Sequence, residues 1–196
     1  MKDRNVGGVF YKIEVYDKDG KLIEEKSGKG DSILYNWTRI FEVLRNPPDY
    51  NNKFKFVRTD GNVVTPDQIV ASGCSMLAPS GNDSYGIVVG SGSTAVDLGD
   101  FDLASKIPHG TGSGQLSYGD TSKYEEISGT TVSEGVQRSF DNNSGADITI
   151  NEIGLVVKIY DGSSEHYVLI MRDVISATTV PNGGRLTVKY WITWNP

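Results

Sequence analysis

Cysteine, histidine, long apolar runs and excess positive charge are all scarce in this chain, and each scarcity removes a class of function. With one cysteine in 196 residues, Cys74, there is neither an internal disulfide framework nor a cysteine-based metal site. Its neighbours Ser72, Gly73, Ser75 and Met76 offer no base and no cation, so the thiol reads as buried or inert. Nothing approaches the roughly 18 consecutive apolar residues of a membrane helix. The opening MKDRNVGGVFYK has no apolar centre of a signal peptide, so synthesis in the cytoplasm without a leader is the expectation. Nineteen basic against 25 acidic residues leave a net charge of −6, and a phosphate-binding surface needs a basic footprint. Neither nucleic acid nor membrane is therefore expected as a partner.

What is plentiful is turn and strand material. Twenty-three glycines and ten tyrosines accompany short runs in which apolar residues alternate with polar ones. Val9, Tyr11, Ile13 and Val15 alternate, 17–20 makes a turn and 21–26 returns, giving a hairpin over 8–26 followed by a Gly-rich break. A helix is expected over 31–46, capped by Asp31 or Ser32 and ended by Pro47-Pro48. Its apolar stripe is Ile33, Leu34, Trp37, Ile40, Phe41 and Leu44. The main sheets are expected over 53–194, with strands at 53–58, 85–90, 124–127 and 132–140. Between them 91–119 forms a long Gly-rich loop with a short helical turn near 100–105, and a loop of that length is usually functional or interface-forming.

The segment from Asp147 to the C-terminus is the richest in strand signal. Ile148 and Ile150 occupy even positions, whereas Ile153, Leu155, Val157 and Ile159 occupy odd ones, so the spacing predicts a β-bulge at Asn151-Glu152. In the last strand Leu186, Val188, Tyr190, Ile192 and Trp194 share a face, which turns Trp191 to the other side. No repeat or linker divides the chain, and one mainly β domain, an antiparallel, jelly-roll-like β-sandwich with one amphipathic helix, is the expected architecture.

Chemistry is hard to assemble from these residues. His109, in Pro108-His-Gly-Thr-Gly-Ser-Gly114, has no second histidine or patterned carboxylate at ligand spacing, and His166 reads as a surface residue. Gly90-Ser-Gly-Ser-Thr94 follows a strand, but no Gly-Lys-Ser/Thr comes after it. The spacing of Gly110, Gly112 and Gly114 is wrong for a dinucleotide fingerprint, so the glycines read as tight turns and close backbone packing. Asp97, Asp100 and Asp102 could offer oxygen ligands to calcium, yet they miss the EF-hand pattern and read as turn chemistry. No nucleophile elbow is present. The reading is of a protein that is not an enzyme and needs no cofactor or metal. A hydrolase built on Asp100, Asp102 and His109 is the weakest competitor.

The order of several motifs resembles a known group. An amphipathic helix is followed by IVVGSGST (87–94), DLGDFDLASKI (97–107), Arg-Ser-Phe (138–140), ITINEIGLVV (148–157), Arg-Asp-Val (172–174) and LTVKYWITW (186–194). Over roughly 28–194 this is similar to small virion structural proteins of tailed bacteriophages, encoded among head, neck and tail genes. The resemblance implies a non-enzymatic particle component located in the virion. Its partners would be other virion proteins and copies of itself, as a homo-oligomer. The expected contact residues are Trp191 and Trp194 on the last strand, with Asp100, Phe101 and His109 in the loop and the N-terminal hairpin beside them. The alternative is a carbohydrate- or receptor-binding module of a fibre or adhesion device.

Overall fold

Alternation of side chains in the sequence becomes antiparallel pairing in three dimensions. A computed structural model describes residues 8–30, 33–45, 55–64 and 73–194, and omits the side chains of 41–45. The first hairpin is β1 (Val9–Tyr16) and β2 (Leu22–Lys29), followed by α1 (Tyr35–Arg45) and the short β3 (Phe56–Val57), β4 (Val63–Val64) and β5 (Cys74–Ser75). Then come β6 (Gly86–Gly90), β7 (Ser117–Ser128), β8 (Thr131–Asp141), β9 (Ile148–Tyr160), β10 (Glu165–Val180) and β11 (Arg185–Trp194). One sheet has the order β2-β1-β11-β8-β7. A second has β10-β9-β5, with β6 also pairing β9, and β3-β4 form a small third. All named pairings are antiparallel, so the protein is mainly β.

A single apolar cluster joins the two larger sheets. Ile13, Val15, Val136, Phe140, Leu186 and Val188 come from the first, and Ile87, Ile153, Leu155, Val157 and Val168 from the second. Each fully buried side chain of this kind contributes about 1.5–3 kcal/mol. Polar bolts cross the same core. The Tyr190 hydroxyl donates to Asp173 Oδ2 at 2.8 Å, and Arg138 Nη1 donates to the Tyr85 and Ile87 carbonyls at 3.0 Å each.

Several expectations shift. The second hairpin strand runs to Lys29 instead of stopping at Lys26, and Gly28 leaves room there for the Tyr11 side chain, whose hydroxyl a Cβ would meet at 2.6 Å. The helix starts at Tyr35, four residues later than 31. Before it, Ile33 bridges Met171 and the Leu34 N–H donates to the Ile170 carbonyl at 2.9 Å, so the expected first turn is spent on the edge of β10. The expected caps Asp31 and Ser32 and the Pro47-Pro48 stop lie outside the described residues, as does most of the expected 53–58 strand's first half. Buried Asn36 instead ties the helix start down, donating to the Val57 and Leu169 carbonyls.

The long loop is 91–116, without a helical turn at 100–105, and β7 begins at Ser117, earlier than the expected Tyr124. Of the two register irregularities between β9 and β10, one falls opposite Asn151, but the extra residues sit on β10, between Val174 and Thr178. The other leaves Ile170 of β10 as the extra residue, and β9 pairs β6 without interruption over 152–156. The phase change in β9 has another cause. Residues 152–157 are buried on both faces, so both parities are apolar or internally bonded there.

Candidate functional site

The loop 91–116 is held by a carboxylate that the sequence reading left unassigned. Glu152, fully buried on β9, accepts from the N–H groups of Gly92 (3.0 Å) and Ser105 (2.7 Å) at Oε1. At Oε2 it accepts from Ala104 N–H (3.0 Å) and from Arg172 Nε (2.8 Å). Arg172, on neighbouring β10, reaches further, donating from Nη1 to Asp100 Oδ2 at 2.7 Å and from Nη2 to the Thr94 carbonyl at 2.9 Å. Both legs of the loop thus converge on one ion pair. Burial by itself would lower the Arg172 pKa, but the bonds to Glu152 and Asp100 outweigh it and hold the guanidinium above its ordinary value.

The Gly-rich run now has a physical reason. A Cβ at Gly90 or Gly92 would meet Glu152 Oε1 at 2.5 and 2.4 Å, and one at Gly154 would meet Leu103 Cδ2 at 2.9 Å. The backbone amides after β6 do form an anion cradle, and the anion is the protein's own glutamate.

Above this clamp the loop presents apolar side chains to solvent. Leu98 is 70% exposed and Phe101 42%, with Tyr35 of α1 beside them at 54%. The Tyr35 N–H donates to the Leu98 carbonyl at 3.0 Å, and a shallow hollow of about 190 Å³ opens between Tyr35, Asn36 and Val57 on one side and Leu98, Gly99 and Asp100 on the other. Asp97 and Asp102 close turns, accepting from Gly99 and Leu103 N–H. Burial pushes the Asp102 carboxyl up. Among the described residues no three His, Cys, Asp or Glu side chains converge as metal ligands would.

The expected contact residues do not form one site. Asp100 and Phe101 sit together, but Asp100 is committed to Arg172 while Phe101 lies over Gly61. Exposed His109 is a staple further along the loop. Its Nδ1 accepts from Tyr118 N–H at 3.1 Å, and its own N–H donates to Asp83 Oδ2 at 2.8 Å. Trp191 faces away from the core, as parity requires, and is half-buried between Phe10 (ring centroids 5.8 Å, stacked) and Tyr124 (5.9 Å, edge-on). Gly135 lies opposite Trp191 on β8. Lys12, bridging Glu14 and Glu25, flanks this aromatic row.

Trp194 is 48% exposed at the end of β11, on the rim of a cleft of about 340 Å³. The cleft is walled by Trp37, Met76, Val136, Leu155 and Ile192, with Lys123 and Glu134 at its margin. Exposed Cys74 stands at the same margin. His166 is buried rather than on the surface, with Nε2 2.8 Å from Asp161 Oδ2. What the sequence reading missed is the set of buried polar residues Arg138, Glu152, Arg172 and Asp173. Their signal was present as charged residues interrupting strand runs at Arg138-Ser-Phe, Glu152-Ile-Gly and Arg172-Asp-Val.

The fold and site together define an antiparallel, mainly β protein that presents a clamped, apolar-tipped loop. No protein-family model matches the chain, and no curated protein or solved structure matches it.

Proposed function

We propose that this chain is a non-enzymatic structural component of a tailed-phage virion, a β-sandwich that works through assembly contacts with other virion proteins and with copies of itself. The observation that carries the reading is the 91–116 loop. A buried ion pair beneath it fixes the backbone, while Leu98 and Phe101 stand out in solvent. Fixed backbone under exposed apolar tips lowers the ordering cost of docking, as a preorganised contact surface requires. The buried charges are consumed by internal bonds, which accords with a scaffold role. The motif order along 87–194 supplies the link to phage particles.

The test is to introduce Leu98→Glu and Phe101→Glu together and measure occupancy of the chain in assembled particles by quantitative mass spectrometry. Loss of occupancy with an unchanged circular dichroism spectrum is expected, and normal occupancy overturns the reading. A second reading, a carbohydrate-binding module, draws on the Phe10–Trp191–Tyr124 row next to Glu14 and Glu25, since flat aromatic faces with nearby acids suit sugars. Specific glycan-array binding that Trp191→Ala abolishes would establish it over the first.

A further inference from the structure

Strand β7 forms one end of the five-stranded sheet, and its two halves are finished differently. Near its start the edge is covered, with Gly81 N–H donating to the Tyr118 carbonyl and Thr121 N–H to the Ala78 carbonyl. From Ser122 to Ser128, among the described residues, only β8 pairs with it and the outer backbone groups have no partner. Cross-strand pairing places Lys123 opposite buried Val136, Glu125 opposite Glu134 and Ile127 opposite Val132. All six therefore lie on the face that carries the core and the cleft. Trp194, opposite Val132, continues that face.

Three features coincide at this edge. The first is the open backbone ladder. The second is apolar surface beside it, since Ile127 is 66% exposed and Trp194 48% and the cleft of about 340 Å³ opens next to Lys123. The third is a like-charge pair. Glu125 and Glu134 face each other directly, and among the described residues neither has a cation within ion-pair distance. Directly opposed like charges weaken a sheet. An added strand that placed a cation beside them would remove that penalty.

We propose that the Ser122–Ser128 edge of β7 receives an extended segment of a different protein that carries, at every second position on one face, a basic residue between two apolar ones. The segment adds a strand by backbone hydrogen bonding, its lysine or arginine sits beside Glu125 and Glu134, and the apolar side chains on either side of it cover Ile127 and the mouth of the cleft beside Lys123. Over 122–128 the edge has one lysine and two glutamates, a net charge of −1, so the same edge of a second copy is disfavoured and a basic strand is selected. The inference rests on the assembly reading for its biological setting and on the edge alone for its chemistry.

Two synthetic heptapeptides test it against the full chain, acetyl-TVTKTVT-amide and acetyl-TVTETVT-amide, with binding read by Trp fluorescence and by amide exchange of residues 122–128. Saturable binding of the basic peptide, protection of those amides, and loss of binding when alternate peptide nitrogens are methylated are expected. Glu125→Lys, at an exposed position, should weaken the basic peptide roughly fivefold and strengthen the acidic one. Equal binding of both peptides, or an unchanged preference in Glu125→Lys, overturns the proposal. So does light scattering that shows the chain self-associating through this edge, since a second copy would then be the occupant. Normal particle occupancy in the Leu98/Phe101 variant sinks the virion reading and leaves the peptide preference standing, so the two failures are distinguishable.

Discussion

Two of the described arginines are buried to about 1% exposure, and their charges are compensated in opposite ways. Arg172 lies against carboxylates, Glu152 and Asp100, and its charge is held above its ordinary pKa. Arg138 has no carboxylate within ion-pair distance among the described residues. It donates instead to the carbonyls of Gly119, Tyr85, Ile87, Pro79 and Asn82, and stacks over the Tyr118 ring at 4.7 Å. Burial accordingly pulls it down to about 10. Even so it stays charged at neutral pH, because the Tyr118 ring and the more distant Asp83 and Asp120 carboxylates oppose the loss while carbonyls accept from its N–H groups. Arg138 is thus a rivet between sheets, tying β8 to the start of β6 and the 79–82 turn. Arg172 is a clamp on one loop, and only its partners reach the candidate contact surface.

The contrast can be broken most forcefully at the clamp. Arg172→Met leaves Glu152 charged, buried and short of a partner, and should cost about 3–5 kcal/mol in urea unfolding. The paired change Arg172→Met with Glu152→Leu should recover part of that loss, whereas a double variant as unstable as the single one would contradict the ion-pair account. Arg138→Met should come next, at about 2–4 kcal/mol, since several carbonyls lose a charged donor at once. The two variants should also differ in kind. Limited proteolysis should open 91–116 in the Arg172 variant, with the Arg138 variant cut instead near 79–86.

A smaller effect is expected outside both clusters. Trp191→Ala removes two ring contacts on the outer face and should cost about 1 kcal/mol, without changing loop proteolysis. Smallest is an acid effect at the Asp161–His166 pair. The hydrogen bond from His166 and the Ser163 and Ser164 amides hold the Asp161 carboxyl well below its ordinary 3.8. A carboxylate depressed in the folded state stabilises above its unfolded value, and that contribution is lost as pH falls below it. Asp161→Asn should therefore flatten the acid limb of the stability profile by about 0.5 kcal/mol, the usual order for a single ion pair at the protein's periphery. An unchanged acid limb would show that the pair contributes nothing.

Local pattern made much of this architecture legible. The β1–β2 turn, the buried β6 run and the outward turn of Trp191 all follow from period-two alternation and turn residues, because both are properties of neighbours in the chain. Glycines at 90 and 92 read as close-packing positions, but what packs there is not legible beside them. Glu152 comes from 60 residues beyond Gly92, and Ala104 from another segment again. His166 was misjudged for the same reason. A polar residue at a strand start looks exposed until the turn before it supplies Asp161.

By itself, then, the sequence determined that this is an antiparallel β protein with one helix, a long glycine-rich loop and an outward Trp191, since each of those depends on spacing within a dozen residues. The tertiary structure alone decided which charges are buried, that one carboxylate gathers both legs of the loop, and that among the described residues only β8 pairs the far half of β7, beside an apolar cleft. Those outcomes depend on contacts between residues tens of positions apart, and such contacts leave no periodic trace in the chain.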